Sequence, residues 1–267
     1  MKIVVLASGS QGNASLFESR GTRLLVDAGV APRTMADKLR DAGSDLPHAI
    51  VITHAHQDHI GHAVRIAERL QIPIYASEST ARHPSLHGRR QVRVFSARAP
   101  FAVGALVVSP LPLPHDAAQV ALVVADGERR AALVTDLGEV PPGLPAHIAG
   151  CDVVLLESNH DAEMLAWGPY PAHLKRRISS ARGHLSNAQA HALLRTLTRE
   201  THTVVLMHLS EKNNRPDLAL DVASDALSGR RMRLHAATQG GTLTVDAAAS
   251  PPASRLFAPG LGQLPLF

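Results

Sequence analysis

The chain has 267 residues, 45% of them hydrophobic, and a formal charge of +4. That suits one large or two small globular units, with aromatics at 3% leaving Ala, Val, Leu and Ile to build the core. A lone Cys151 excludes an internal disulfide and a thiolate metal cluster, and without a run of about 20 apolar residues no membrane span is expected.

The opening "MKIVVLASGSQGN" reads as a first strand and a turn. Its apolar run is too short for a signal peptide, so the expected location is the cytoplasm. Short apolar runs then follow as strands: "RLLVDAG", "AIVITH", "IPIYA", "ALVVSPLPL", "VALVVAD" and "AALVTD". Between two of them, Asp58 to Leu70 carries Ile60, Val64, Ile66, Ala67 and Leu70 near helical spacing. The second half brings "DVVLLES", a helix around Ala188 to Leu197, "HTVVLMH", a helix from Pro216 to Leu227 opened by its proline, and the strands "MRLHAAT" and "GTLTVDA". Strands come both in runs and separated by helices, which points to mixed sheets packed on each other with helices outside. From 247 to 262 the sequence fills with Ala, Ser, Pro and Gly and reads as a linker. The expected division is a catalytic unit over 1–246 and a tail over 247–267.

Sixteen histidines are the unusual count. Several apolar runs end on a metal-ligand type: "AIVITHAHQDH" on His54, His56, Asp58 and His59, "LPLPHD" on His115, "AALVTD" on Asp136, and "HTVVLMH" on His208. Strand ends gather on one rim of a sheet, so these groups can converge. Seven nitrogen and oxygen donors suffice for two metals bridged by a carboxylate, and the lack of thiolate suits Zn, Mn or Fe.

At these residues the sequence resembles the metallo-β-lactamase fold superfamily, whose signature is His-x-His-x-Asp-His after a strand. The resemblance spans about residues 1 to 246 and implies a four-layer αββα sandwich, an α/β fold with two divalent ions at one edge of the sheets. It implies that His54, His56 and His115 bind one ion, that Asp58, His59 and His208 bind the other, and that Asp136 bridges both. "LASGSQGNAS", "ESNHD", "GHLSN" and "HLSEKNNRP" narrow the resemblance to the YycJ/WalJ-type nuclease branch. That branch implies a metal-dependent nuclease acting on DNA, a 5′ exonuclease. A small-ester or small-phosphodiester hydrolase of the same fold is the alternative, and a non-catalytic binding module is a third reading that seven intact ligands argue against.

Other strings supply candidate contacts. In the "SGSQGN" turn, Ser10 and Asn13 are candidates to hold a phosphate, with an ordinary hairpin turn as the plain reading. In "SNHD", Asn159 is a phosphate candidate, and His160, beside the rim, is a candidate substrate contact or proton donor; Asp58 is expected both to bind metal and to steer the nucleophile's proton. In "GHLSN", His184 is a second proton-donor candidate. Ser186 and Asn187 are helix caps compatible with phosphate binding. Arg89, Arg90 and Arg93, and Lys175, Arg176, Arg177 and Arg182, are either solvated faces or a phosphate track. Finally, "QLPLF" at the end resembles the short peptide by which bacterial replication and repair proteins bind the polymerase sliding clamp. Gln263 would set the register, and Leu264, Leu266 and Phe267 would be the anchors. The alternative is a terminus folded back on the domain.

Overall fold

The computed structural model describes residues 1–249 and a short strand near the end of the chain. The first half runs β1 (Lys2–Ala7), β2 (Ala14–Ser19), β3 (Thr22–Val26), α1 (Pro32–Asp41), β4 (Ala49–Ile52), α2 (Gln57–Ile60), α3 (Ala63–Leu70), β5 (Ile74–Ser77), α4 (Glu78–Ala81) and β6 (Val92–Phe95). Next come β7 (Phe101–Val103), β8 (Leu106–Leu113), β9 (Gln119–Ala125), β10 (Arg130–Val134), α5 (Leu144–Ile148), β11 (Val153–Glu157), α6 (Ala162–Trp167) and α7 (Ala172–Ile178). The chain continues through α8 (Asn187–Leu194), β12 (Thr203–Met207), α9 (Pro216–Ala226), β13 (Arg233–Ala236), β14 (Leu243–Asp246) and β15 (Leu256–Phe257).

The strands form two mixed sheets. One has the order β14-β1-β2-β3-β4-β5-β6 and the other β15-β13-β12-β11-β10-β9-β8-β7. The alternation of side chains along each strand then sorts the core into layers. Ile3, Val5, Leu24 and Val26 of the first sheet meet Leu122, Leu133, Leu155 and Val205 of the second. Their neighbours Val4, Leu6, Leu25 and Ile52 face the other way, onto Met35 and Leu39 of α1 and Ile66 of α3. On the far side, Val154, Leu156, Val204 and Leu206 pack on Leu193 and Leu194 of α8 and Ala219 and Ala223 of α9. The result is the four-layer αββα sandwich. Its centre is aliphatic except for a few rings such as the fully buried Phe17.

Two features differ from the sequence reading. The stretch expected as one helix from Asp58 is two, α2 and α3. The break has a backbone cause: the His62 N–H donates to the Ala28 carbonyl (2.9 Å) at the end of β3 and not to the carbonyl one turn earlier. Strand pairing also reaches into the segment read as linker: β15 pairs parallel with β13, Leu256 against Arg233, and Ala247 is buried with its N–H on the Met1 carbonyl. Gln263 to Phe267 lie outside the described residues.

Candidate metal centre

The polar residues at the strand ends collect on one rim. His54 follows β4, His56 stands at the N-terminal boundary of α2, and Asp58 and His59 lie within α2. His115 follows β8, Asp136 follows β10 and His208 follows β12. The backbone packs tightly to bring them together. The Asn13 N–H donates to the Asp58 carbonyl (2.7 Å), and Gly29 N–H to the Asn13 carbonyl (2.9 Å). A Cβ on Gly29 would lie 1.8 Å from the Asp58 carbonyl oxygen, so only glycine lets the end of β3 approach α2. Asp27, Asp136 and His208 have left-handed backbones (φ 61°, 59° and 55°), which turn their side chains off the strand direction and toward the rim.

Two triads result. Ligand atoms of His54, His56 and His115 lie within 4.8 Å of one another, and so do those of Asp58, His59 and His208. Asp136 stands between them. Its Oδ2 is 3.3 Å from His59 Nε2, its Oδ1 is 3.5 Å from His208 Nδ1, and it forms a further close set with His54 and His59. Most rings are pinned by one nitrogen. His59 Nδ1 donates to Asp27 (2.8 Å), His208 Nδ1 to Glu157 (3.0 Å) and His115 Nδ1 to the Gly183 carbonyl (3.0 Å). Thr53, itself bonded to Asp27, lies 3.2 Å from His54 Nδ1. This fixes ring orientation and leaves Nε2 for the centre, the arrangement expected around a metal. His54 Nε2, His208 Nε2 and Asp136 Oδ2 are buried with no hydrogen-bond partner among the described residues. Buried polar atoms are normally paired, and a cation is the partner that this set of imidazoles and carboxylates fits.

The charges agree. Burial disfavours an ionised Asp136, but His208, His59 and His54 around it hold its carboxyl well below the usual range. Burial likewise opposes a charged His208, yet Asp136, Asp58 and Glu157 push it up to about 10. His59 is raised in the same way by Asp136 and Asp27 against its burial. His54 goes the other way, lowered by burial and by neighbouring His59. A field that attracts protons this strongly also attracts a divalent cation, which would take the protons' place.

Beside the rim is a cleft of about 290 Å³. Its lining includes His56, Asp58, Asp136, His184 and His208 together with Ser10, Asn159, Tyr170 and Arg177. His184 donates from Nδ1 to Glu157 (2.8 Å), which leaves Nε2 as its second ring nitrogen. His160 does not line the cleft. It is buried, its Nδ1 has no hydrogen-bond partner among the described residues, and burial lowers its pKa. Of the phosphate candidates, Ser10 and Asn159 border the cleft. Asn13 is spent inside the centre: its amide donates to Asp58 Oδ2 (3.1 Å) and lies 3.0 Å from His59 Nε2. Ser186 caps α8 in a reciprocal box with Gln189. Asn187 is buried and exchanges two hydrogen bonds with Asn214.

Three functional residues escaped the sequence reading. Asp27 and Glu157 each end an apolar strand, the same signal that marked the candidate ligands, and each holds a ring nitrogen, of His59 and of His208; Glu157 also lies in a close set with Asp136, His184 and His208. Glu157 anchors both His184 and His208. Burial would raise its pKa, and those two rings instead lower it to about 2. Asp116, next to His115, lies 3.1 Å from His56 Nε2 and 3.3 Å from His115 Nε2, and its Oδ2 accepts from Arg177 Nε (2.7 Å) with Arg177 Nη2 at 2.6 Å.

Residues 22–209 match the beta-lactamase superfamily domain, and the chain belongs to that family. The fold implies divalent metal ions at this rim. More narrowly, the chain is 36% identical over 231 residues to the exodeoxyribonuclease YycJ of Bacillus anthracis, covering 84% of this chain and 88% of that protein. It is 34% identical over 230 residues to the exodeoxyribonuclease WalJ of Streptococcus pneumoniae, covering 82% and 85%. In fold it is similar to the metallo-beta-lactamase fold protein YhfI of Bacillus subtilis, with a TM-score of 0.70 at 18% identity over 91% of this chain and 98% of that one. No helix among the described residues is long and apolar enough to cross a membrane.

Proposed function

We propose that the chain is a metal-dependent exodeoxyribonuclease that hydrolyses DNA from a 5′ end with two divalent ions, Zn, Mn or Fe. The observation that carries this is the meeting of seven candidate ligand side chains, three of them with buried atoms that have no hydrogen-bond partner among the described residues, beside a polar cleft that Arg177 borders. The names of the YycJ and WalJ relatives support DNA as the substrate. His54, His56 and His115 would hold one ion, Asp58, His59 and His208 the other, with Asp136 shared. Bound there, the ions supply an activated water at neutral pH and neutralise charge on the phosphoryl group.

The chain's own groups do the rest. Asp58 is ionised, because contacts to His208 and His59 outweigh its burial, and its carboxylate orients the proton of the attacking water. His184, held at Nδ1 by Glu157, presents Nε2 to the cleft and gives a proton to the leaving 3′ oxygen as the phosphorus–oxygen bond breaks. Ser10 and Asn159 contact the phosphate from the cleft wall. The small-ester alternative calls for a closed apolar pocket, and this cleft is bordered by serine, asparagine and arginine.

The same reading places the enzyme in the cytoplasm, in DNA repair or replication. There, Gln263, Leu264, Leu266 and Phe267 would dock on a sliding clamp and raise the local concentration of enzyme on DNA. A peptide of the last eight residues should bind purified clamp; no binding removes this part alone. The main test is hydrolysis of 5′- and 3′-labelled single- and double-stranded DNA with Mn²⁺ or Zn²⁺. Mononucleotide released first from the 5′ label is the expected result. Cleavage of small phosphodiesters with none of DNA would overturn the reading.

A further inference from the structure

The metal cleft continues beyond the rim. Asp116 is common to its lining and to that of a cavity of about 530 Å³. Arg98 and Pro112 are in turn common to that cavity and to a third, of about 490 Å³. The three hollows form one path that leaves the rim along β8.

Strand pairing accounts for the path. β7 pairs only with Leu106 to Val108 of β8, so from Ser109 to Leu113 this edge of β8 has no strand beside it among the described residues. β9 fills the other edge. Prolines at 110 and 112 stand two positions apart, which puts both nitrogens that lack a hydrogen on one edge. Such an edge pairs poorly with a further strand, and the trough beside it stays open.

The walls of the path are cationic. Arg98, Arg130 and Arg182 are exposed on it, and their guanidinium groups have no hydrogen bond or ion pair among the described residues. Arg129, next to Arg130 in sequence, is instead tied to Asp152 (2.9 Å). The acids on the path are Glu78 and Asp116, and Asp116 already pairs with Arg177 (2.6 Å). The outer cavity has no carboxylate in its lining. Ser109, in that outer cavity, stands six positions before His115, about 20 Å of extended chain at about 3.3 Å per residue. One DNA strand advances about 3.4 Å per nucleotide, so a path of this length takes about six nucleotides.

We infer that this path holds the retained strand of the DNA, the part on the 3′ side of the bond being cut, with Arg182, Arg98 and Arg130 meeting its phosphates in order outward from the rim. An enzyme that removes single nucleotides has one nucleotide on the other side of that bond, which needs no path of this length. Contacts between cations and phosphates fix the register of the strand without reading its bases. The inference rests on the 5′ nuclease reading and assigns the substrate strand to one face of the molecule.

The test uses the metal-loaded enzyme and duplexes of one sequence, each with a single neutral methylphosphonate at a different distance beyond the scissile phosphate. Within about six nucleotides of the cut the replacement should raise KM for release of the first nucleotide, and about ten or more away it should not. In Arg98→Ala the penalty at one or more of the near positions should vanish, because the cation that met that phosphate is already gone. Arg98→Ala and Arg130→Ala should each lower the slope of log KM against log salt by about 1, and Arg98→Lys should recover most of the loss. Arg69→Ala, at an exposed arginine of α3 that lines neither cavity, should overlay the wild type. Two results overturn the inference while leaving the nuclease standing: a KM blind to methylphosphonate at every near position, or salt slopes of both alanine variants equal to that of Arg69→Ala. A wild-type enzyme that cuts no DNA, or cuts it from the 3′ end, overturns both readings together.

Discussion

Two basic stretches, Arg89 to Arg93 and Lys175 to Arg182, look alike in the sequence and end in different surroundings. Arg89 pairs with Glu68 (2.8 Å) and with the Ser85 carbonyl, and Arg93 donates to the Arg90 carbonyl. The shallow depression that Arg89 borders contains no metal-ligand candidate. Arg177, by contrast, borders the metal cleft and grips Asp116, which itself touches His56 and His115. Arg182 borders an adjoining cavity of about 530 Å³ that also contains His115 and Asp116. The difference teaches that a run of positive charge has a function only through its distance from the strand-end rim. Surface ion pairs such as Arg89 with Glu68 contribute little to stability.

The contrast can be broken most completely at the metal centre. Asp136→Ala should reduce DNA hydrolysis to background in a protein whose far-UV circular dichroism is unchanged, because the residue sits at a rim and not in the core. Near-normal hydrolysis by that variant would mean that Arg177 and Arg182 border no active centre. A smaller loss is expected from Glu157→Gln, which releases His184 and His208: turnover should fall by about 10–100-fold, the usual effect of removing a residue that orients metal ligands. The same variant has a pH signature. The Glu157 carboxyl titrates near 2 in the fold against 4.5 ordinarily. Its stabilising contribution is therefore complete above the ordinary value and is lost as pH falls toward 2. Glu157→Gln should flatten the acid side of a plot of Tm against pH, and an unchanged slope would count against the role given to this carboxylate.

The arginines themselves sharpen the comparison. Arg182→Ala should weaken DNA binding and reduce the slope of log affinity against log salt by about 1. Arg177→Ala should do the same and also slow turnover, since Asp116 loses its partner. The smallest expected effect is that of Arg89→Ala with Arg93→Ala, whose salt slope should overlay that of the wild type in a fluorescence anisotropy titration. A slope reduced by both pairs equally would spread the DNA over the whole molecule and erase the distinction.

The candidate ligands brought together at the rim are dense in sequence: His54, His56, Asp58 and His59 fall within six residues, after an apolar strand. His115, Asp136 and His208 were legible because each ends such a strand. Asp27 and Glu157 carry the same mark, but their role depends on which ring lies across the rim, and no local pattern encodes that. Mixed sheets with helices outside followed from the strand runs, and the four-layer αββα order followed from the family resemblance. The polar helices were less visible: α1 buries only Met35 and Leu39, and α7 buries only Ile178. The break between α2 and α3 was invisible because the competing acceptor, the Ala28 carbonyl, lies more than thirty positions away in the chain. His160 and His184 sat in equally suggestive strings, and tertiary packing alone put one beneath the surface and the other at the cleft.

The left-handed backbones of Asp27, Asp136 and His208 have a consequence for how this protein responds to selection. Such conformations at non-glycine residues cost about 1–3 kcal/mol each, and glycine would adopt them without that cost. Chemistry and durability therefore pull these three positions in opposite directions. A mutant library screened only for resistance to heat should accumulate Gly or Asn at 27, 136 and 208, and its hardiest members should be the ones that no longer hydrolyse anything.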